Sequence, residues 1–330
     1  MTIVKNFEEA TILVDGKNKW KGKKTMCNDL SDIFIDQSNQ PENEIIADRL
    51  ASVGYRLANC GSFLEFSPTV SGDKKLVNAN FCKVRLCPMC NWRRSKKIFG
   101  QVSKIINAIN NEKEKEYIFL TLTCKNVSGE NLREQIKILL KSFNRMISDN
   151  SKIKKMCQGY FRGLEVTRNN NDGTYHPHIH CILVVNKSYF TSRDYIKQKE
   201  WASIWQYYLK VDYIPVVHIE KFKNNNHKAV AEASKYAVKD TDIFLETQEE
   251  TKKNILILHQ ALFNIRLIGM GGLFKEWHKK LNLDDADADN VDFINTDNEN
   301  DNDEIIKDII LRYEWNIGYK NYVLVEERRG

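Results

Sequence analysis

The stretch Gly163–Val184, GLEVTRNNNDGTYHPHIHCILV, decides the fold class because it joins two strand patterns through a hairpin signal. Side chains on both sides of NNNDG are β-branched or aromatic, and Asp-Gly between such runs is typical of a tight turn between antiparallel strands. We therefore predict paired strands over Tyr160–Arg168 and Tyr175–Val185. The helical and strand patterns that surround this hairpin indicate an α+β fold, with a central antiparallel sheet flanked by helices.

Three histidines alternate along the second predicted strand: His176, His178 and His180. Residues two apart in a strand share a face, so His178 and His180 present two imidazoles side by side. His176 lies near the turn and is the weaker candidate. If the chain turns in the middle of the loop, Glu165 lies opposite His178 on the same face. Two imidazoles and one carboxylate leave coordination positions open, which indicates a catalytic divalent metal site.

Four of the eight cysteines are clustered, at Cys60, Cys82, Cys87 and Cys90. Pro88 inside the Cys-x-x-Cys pair favours a tight turn that points two thiolates at one ion, and two upstream thiols complete a tetrahedral set. We predict a structural zinc site in which the distant Cys60 is the least certain ligand. The plain alternative is a group of buried structural thiols. A redox pair is less favoured, because no strand–helix unit flanks it.

The charge of the chain is divided unevenly along its length. Ten acidic residues and no Lys or Arg lie between Asp284 and Glu304, so the other residues carry a net +16 from 50 basic and 34 acidic side chains. Such a basic body favours a polyanionic partner, nucleic acid first, although a solvated charged face is the alternative. The predicted DNA contacts lie near the cysteines: Lys83, Arg85, Arg93, Arg94, Lys96 and Lys97.

Tyr236 and Glu232 form a further candidate pair on a predicted helix, within AEASKYAVKD. At positions i and i+4 they share one face of the helix and can address the same point. Tyrosine is a competent nucleophile towards phosphorus, and a carboxylate can activate water. Taken alone the pair is weak, because the chain has 13 tyrosines.

Composition and segment boundaries limit the class of protein. With 330 residues and 42% hydrophobic content, the chain has enough apolar side chains for a sizeable core. There is no signal-peptide pattern and no long apolar run, so we expect a soluble cytoplasmic protein without membrane contact. The predicted segments are a flexible N-terminal arm (1–42) with a short strand, a zinc-binding and DNA-contact region (43–112), a catalytic domain with a helical extension (113–283), an acidic disordered linker (284–304) and a C-terminal segment (305–330) with a final strand.

The ordered motifs resemble the HUH endonuclease family, in particular the replication initiators of rolling-circle plasmids of Gram-positive bacteria. YIFLTLTCKNV from Tyr117 is similar to the first family motif, the histidine hairpin to the second, and EASKYAVKD to the nucleophile helix. FCKVRLCPMCNWRRSKK from Phe81 and GGLFKEWHKKLNLDD from Gly271 also resemble segments of these initiators. The resemblance extends from about Cys60 to Asp285.

The resemblance implies the HUH fold and a site- and strand-specific DNA nick. Tyr236 would attack a phosphate and become linked to the 5′ end, leaving a 3′ hydroxyl primer. His178 and His180 would hold Mg²⁺ or Mn²⁺, with Glu165 assigned here as the third ligand. The implied partners are duplex and single-stranded plasmid origin DNA, the host replicative helicase and polymerase, and a second copy of this chain.

Two other classes of protein share some of these features. A rolling-circle transposase has a cysteine cluster and a similar histidine strand, but usually carries a second tyrosine where this chain has Glu232. A non-enzymatic zinc-dependent DNA-binding regulator explains the cysteines and the charge but leaves the histidines and Tyr236 without a purpose. Covalent attachment to DNA separates an enzyme from a regulator.

Overall fold

The computed structural model describes residues 11–15, 18–222, 227–235, 237–296 and 304–329. The chain forms two compact units, one made of Met1–Arg94 with Asp289–Gly330 and the other of Ser95–Ala288. Both contain helices and an antiparallel sheet, which confirms the predicted α+β class. No helix in these described ranges is both long enough and apolar enough to cross a membrane.

The helices and strands are numbered in chain order. The helices are α1 (Lys19–Ser38), α2 (Ala47–Asn59), α3 (Pro88–Glu112), α4 (Gly129–Asp149), α5 (Ser151–Met156), α6 (Gln198–Leu209), α7 (His227–Ala233), α8 (Asp240–Ile243), α9 (Gln248–Leu262) and α10 (Leu273–Lys280). The strands are β1 (Phe63–Pro68), β2 (Lys74–Ala79), β3 (Glu116–Leu122), β4 (Cys157–Arg168), β5 (Tyr175–Val185), β6 (Val217–Phe222), β7 (Ile268–Gly272), β8 (Ile309–Asn316) and β9 (Asn321–Arg329). Short 3₁₀ turns cover Pro41–Ile46 and Tyr189–Thr191.

The second unit is built on a five-stranded sheet in the order β6-β3-β5-β4-β7. The predicted hairpin is its centre, and its register places Glu165 directly opposite His178. The turn uses Gly173 at φ 70°, a left-handed conformation that glycine adopts without a steric penalty. The register predicted from the position of the turn is therefore confirmed.

Amphipathic helices cover this sheet. Helix α4 buries Leu132, Ile136, Leu139 and Phe143, which recur at three- or four-residue spacing, and it contacts α6, α9 and β5. Helix α6 adds Trp201 and Trp205, both fully buried. Fully burying a large apolar side chain contributes about 1.5–3 kcal/mol, so these helices fix the sheet that carries the histidines.

A glycine-rich strand replaces the helical break predicted within Glu249–Leu283. Strand β7 pairs with β4 at the edge of the sheet, between α9 and α10. A Cβ atom on Gly271 would lie 2.3 Å from the Tyr160 ring, and Gly272 has φ 54°. The glycines are thus needed for close approach of two strands, a tertiary requirement that periodicity does not reveal.

The first unit corrects the prediction of a flexible N-terminal arm. Residues Lys19–Ser38 form helix α1, which buries Trp20, Cys27, Leu30 and Phe34. The many lysines of this segment predicted a flexible arm, although its apolar residues recur at the spacing of one helix face. The predicted short strand is present only as a bridge between Ile12 and Val323.

The acidic tract and the C-terminal segment also differ from expectation. Ala286, Asp287, Val291 and Phe293 are buried, so the described part of the tract is packed rather than a disordered linker. Residues 297–303 lie outside the described part of the chain. The C-terminal segment supplies two strands rather than one, and β8 pairs with β1 in a four-stranded sheet of order β2-β1-β8-β9. The functional roles assigned to the sequence segments stay predictions.

Gly271→Ala is expected to destabilise the second unit, because the added methyl group collides with the Tyr160 ring. Overpacking of this kind costs about 1–3 kcal/mol, and the melting temperature should fall by several degrees. Gly22→Ala in α1 is the matched control, since no atom lies within 4 Å of the position that its added methyl group would occupy. Thermal unfolding followed by circular dichroism checks both variants. Equal melting temperatures for Gly271→Ala and the wild type would contradict the close-approach argument.

Candidate active site and cysteine centre

The two imidazoles and the carboxylate predicted from the hairpin converge in the second unit. His180 Nε2 lies 3.0 Å from Glu165 Oε2, and His178 Nε2 lies 3.4 Å from the same oxygen. One ligand atom from each of the three residues lies within 4.8 Å of the others. Because all three side chains are buried on paired strands, the sheet itself holds the group together.

Hydrogen bonds on the far sides of both rings orient them. His178 Nδ1 lies 3.1 Å from the carbonyl oxygen of His176, which can only accept, so Nδ1 carries a proton. His180 Nδ1 lies 3.1 Å from the Thr121 hydroxyl on β3. These partners leave the Nε2 atoms facing Glu165, the arrangement that outer hydrogen bonds give to metal-ligating histidines.

Glu165 is ionised although it is 2% exposed. Burial alone would raise its pKa, but hydrogen bonds from His178, His180 and Lys239 outweigh burial and hold the pKa well below its ordinary value. Lys239 Nζ lies 2.9 Å from Glu165 Oε1, which leaves Oε2 facing the histidines. Sequence analysis missed Lys239; its place three residues after Tyr236 was the available signal.

The chemistry of these donors fits a divalent cation. When the His178 ring is neutral with its proton on Nδ1, the Nε2 lone pair and the Glu165 carboxylate oxygen point to the same place. A cation between them satisfies both atoms, whereas a hydrogen bond requires a second ring proton. Imidazole and carboxylate together suit Mn²⁺ and similar ions, and the three ligands leave positions open for a substrate oxygen.

His176 does not join this group. Its Nδ1 lies 2.9 Å from the Asn126 side-chain oxygen, in the loop after β3. Burial and the nearby His178 lower the pKa of His176 below its ordinary value. His176 is therefore not among the three residues whose potential ligand atoms converge.

The segment predicted to carry the nucleophile lies beside Glu165, His178 and His180, which we call the metal group. Glu232 on α7 has a carboxylate oxygen 3.9 Å from His180 Nε2, and it also pairs with Lys235. Ala237 forms a bridge with Glu165, and its carbonyl oxygen accepts a 2.7 Å hydrogen bond from the Val166 N–H. Tyr236 itself lies outside the described residues.

The four clustered cysteines meet in the first unit. Sγ–Sγ distances are 3.5 Å for Cys60–Cys87, 3.6 Å for Cys60–Cys90 and 3.7 Å for Cys82–Cys90. A tetrahedral Zn²⁺ with ~2.3 Å bonds to sulfur requires neighbouring sulfurs ~3.8 Å apart, so the spacing fits the ion. The four sulfurs all lie within 4.8 Å of one another.

Backbone donors prepare these sulfurs for a cation. The N–H of Lys83 points to Cys90 Sγ at 3.2 Å, and the N–H of Cys82 points to Cys60 Sγ at 3.4 Å. Burial raises the pKa of Cys82 well above its ordinary value. Burial also opposes ionisation of Cys87, but hydrogen bonds from the surrounding thiols outweigh it and hold its pKa well below its ordinary value. The surrounding thiols thus favour negative charge on Cys87, whereas burial opposes ionisation of Cys82.

The structure divides the six predicted DNA contacts. Arg93 donates to the carbonyl oxygens of Phe293 and Ile294 at 2.9 Å, and the Arg94 guanidinium lies 4.9 Å from the centre of the Phe293 ring. Lys97 forms a 2.9 Å ion pair with Asp284. These three side chains are buried, which contradicts their assignment to DNA, because the acidic tract already contacts them. Lys83, Arg85 and Lys96 are half-buried and stay predicted contacts.

Comparisons with known proteins agree with the resemblance drawn from the motifs. A family model described as "Replication protein" matches residues 73–323, which include the histidine strand and Glu232. "Protein rep" of Bacillus amyloliquefaciens is 38% identical over 330 residues, covering 93% of this chain and 94% of that protein. "Protein rep" of Streptococcus pneumoniae serotype 2 is 38% identical over 314 residues, covering 93% and 92%. No solved structure matches the chain.

Thr121→Val is expected to weaken Mn²⁺ binding about 10–100-fold, the usual effect of removing an outer hydrogen bond from a metal ligand. Valine keeps the shape of threonine but cannot hold His180 Nδ1. Thr121→Ser retains the hydroxyl and serves as the control. Calorimetric titration of metal-free protein with Mn²⁺ measures both affinities; wild-type affinity in Thr121→Val would show that the hydroxyl does not position the ring.

Proposed function

The chain belongs to the replication protein family, and from that membership we propose that it initiates rolling-circle replication of a plasmid by nicking one origin strand. One observation carries the nicking proposal. Glu165, His178 and His180 form a group suited to a divalent cation, directly beside the segment that contains Glu232 and flanks Tyr236. This pairing of a metal group with a tyrosine segment is what phosphoryl transfer to tyrosine requires.

In the proposed reaction Tyr236 is the nucleophile. Its phenolic oxygen forms a bond to the scissile phosphorus while the bond from phosphorus to the 3′ oxygen breaks. The phenolic proton passes to solvent, the departing 3′ oxygen takes up a proton and becomes the primer hydroxyl, and the 5′ phosphate stays linked to the tyrosine. The covalent link conserves the phosphodiester energy for a later strand transfer.

Glu165, His178, His180 and their neighbours would bind and orient the phosphate. Glu165, His178 and His180 would hold Mg²⁺ or Mn²⁺, which supplies charge stabilisation to the non-bridging phosphate oxygens. Lys239 contacts Glu165 Oε1 and so keeps the carboxylate in place. Glu232, half-buried and 3.9 Å from His180 Nε2, is close enough to take a proton from a water molecule that attacks the same phosphorus.

The cysteine centre has a separate structural role in this proposal. Zinc held by Cys60, Cys82, Cys87 and Cys90 would fix the turn before α3, and Lys83, Arg85 and Lys96 would contact origin DNA from this region. Duplex and single-stranded origin DNA are the proposed substrates. The host replicative helicase and polymerase, which extend the 3′ end, and a second copy of this chain are the proposed partners.

Tyr236→Phe is expected to abolish the covalent protein–DNA adduct, because it removes the attacking oxygen and leaves the ring. His180→Ala should also abolish the adduct while duplex binding persists, since phosphate contacts lie elsewhere. The assay uses a labelled single-stranded origin oligonucleotide, Mn²⁺ and denaturing electrophoresis. His176→Ala, outside the metal group, is the control and should retain the adduct. An adduct formed by Tyr236→Phe would assign the nucleophile to another tyrosine.

A second prediction concerns termination, where we propose that Glu232 activates water for the final cut. Glu232→Ala should then nick at the wild-type rate, whereas the hydrolytic second cut slows by about 10²–10⁴-fold, the usual contribution of a general base. Unterminated multimeric single strands should accumulate in a replication assay. Glu232→Gln, which keeps the shape of the side chain, should behave in the same way. Loss of the first nick in either variant would contradict the water mechanism.

A further inference from the structure

We propose that Cys27 is an alternative thiol ligand of the cysteine centre. It binds the metal in place of Cys82 when Cys82 is lost. Cys27 lies 33 residues before Cys60 in the chain. It belongs neither to the cysteine motif of the sequence nor to the group of four cysteines whose sulfurs converge. The inference rests on the proposed metal centre and adds to it an alternative ligand set for a soft divalent ion such as Zn²⁺.

The position of Cys27 carries the proposal. Its sulfur lies 3.4 Å from Cys87 Sγ, as close as the four clustered sulfurs lie to one another. Its side chain also interacts with Cys60. Cys27 thus already contacts two of the three thiols that remain when Cys82 is removed.

Exposure separates Cys82 from the other thiols. Cys82 is half-buried, whereas Cys27, Cys60, Cys87 and Cys90 are all buried. An open pocket of about 330 Å³ reaches Cys82 between Tyr55, Arg56 and Phe81, and Cys27 does not line it. Cys60 also lines this pocket but is only 1% exposed, so alkylating agents reach Cys82 first, and the Cys27 side chain is fully buried.

Helix α1 also supplies the charge that the exchange requires. Four thiolates around Zn²⁺ leave a net charge of −2, which is costly to bury without a cation. Lys24, one helical turn before Cys27, is 1% exposed and interacts electrostatically with Cys27, Cys60, Cys82 and Cys87. Exchange of one thiolate for another preserves this balance.

The exchange step conserves atoms and charge. The bond between the metal and Cys82 sulfur breaks when an alkylating agent forms a carbon–sulfur bond to Cys82 and releases its leaving group, and a bond from the metal to Cys27 sulfur forms. The Cys27 thiol proton passes to solvent. The metal keeps its oxidation state, and the centre keeps four sulfur ligands.

The experiment compares full-length zinc-loaded variants by metal analysis after gel filtration. Wild type, Cys27→Ser and Cys82→Ser should each hold about one zinc per chain, whereas the double variant Cys27→Ser/Cys82→Ser should lose it. Cobalt-substituted Cys82→Ser should keep the absorption of a four-thiolate site. In parallel, wild type alkylated at Cys82 should retain zinc, and alkylated Cys27→Ser should release it.

Three outcomes would overturn the inference or its premise separately. Cys27 does not replace Cys82 if Cys82→Ser folds but holds no zinc. The same conclusion follows if alkylated wild type loses zinc as fast as alkylated Cys27→Ser. Loss of zinc in Cys27→Ser alone makes Cys27 a permanent ligand and excludes exchange. Wild type that binds no zinc refutes the proposed metal centre itself, whatever Cys27 does.

Discussion

The register between β4 and β5 is the constraint on which the candidate active site depends. Opposed residues on antiparallel strands have Cβ atoms about 4.5–5.5 Å apart, and a slip of one residue turns each side chain to the other face. Pairing of Glu165 with His178 therefore brings three ligand atoms together, and the same slip would disperse them. The hairpin turn fixes this register, and helix packing against the sheet keeps it.

Neighbouring elements then adapt the group to its chemistry. Strand β3 contributes Thr121 behind His180, and the segment after α7 contributes the Ala237 bridge and Lys239 beside Glu165. These contacts make a buried carboxylate that stays ionised, because three donors outweigh the cost of removing it from water. The proposed phosphate chemistry depends on that negative charge, since an uncharged acid would be a poor metal ligand.

Charge patterning was the least reliable guide to the structure. The sequence predicted that the basic run near the cysteines and the acidic tract form two independent surfaces. In the structure, however, Arg93 and Arg94 pack against the segment around Phe293, and Lys97 pairs with Asp284. Opposite charges far apart in a chain can neutralise each other after folding, and backbone carbonyl oxygens can accept the hydrogen bonds that a guanidinium donates. Net charge along the sequence therefore overstates the surface left for DNA.

The sequence by itself determined the hairpin, its register, the convergence of Glu165, His178 and His180, and the cysteine cluster, because alternation along strands and short ligand spacings are local properties. Only the tertiary structure decided which residues from distant segments reach these sites. Cys27 lies on a helix in a segment whose composition predicted a flexible arm. Lys239 pairs with Glu165, 74 residues earlier in the chain, and Gly271 packs against Tyr160. Such contacts depend on how separate elements pack, and no local pattern encodes the distance between side chains that only folding brings together.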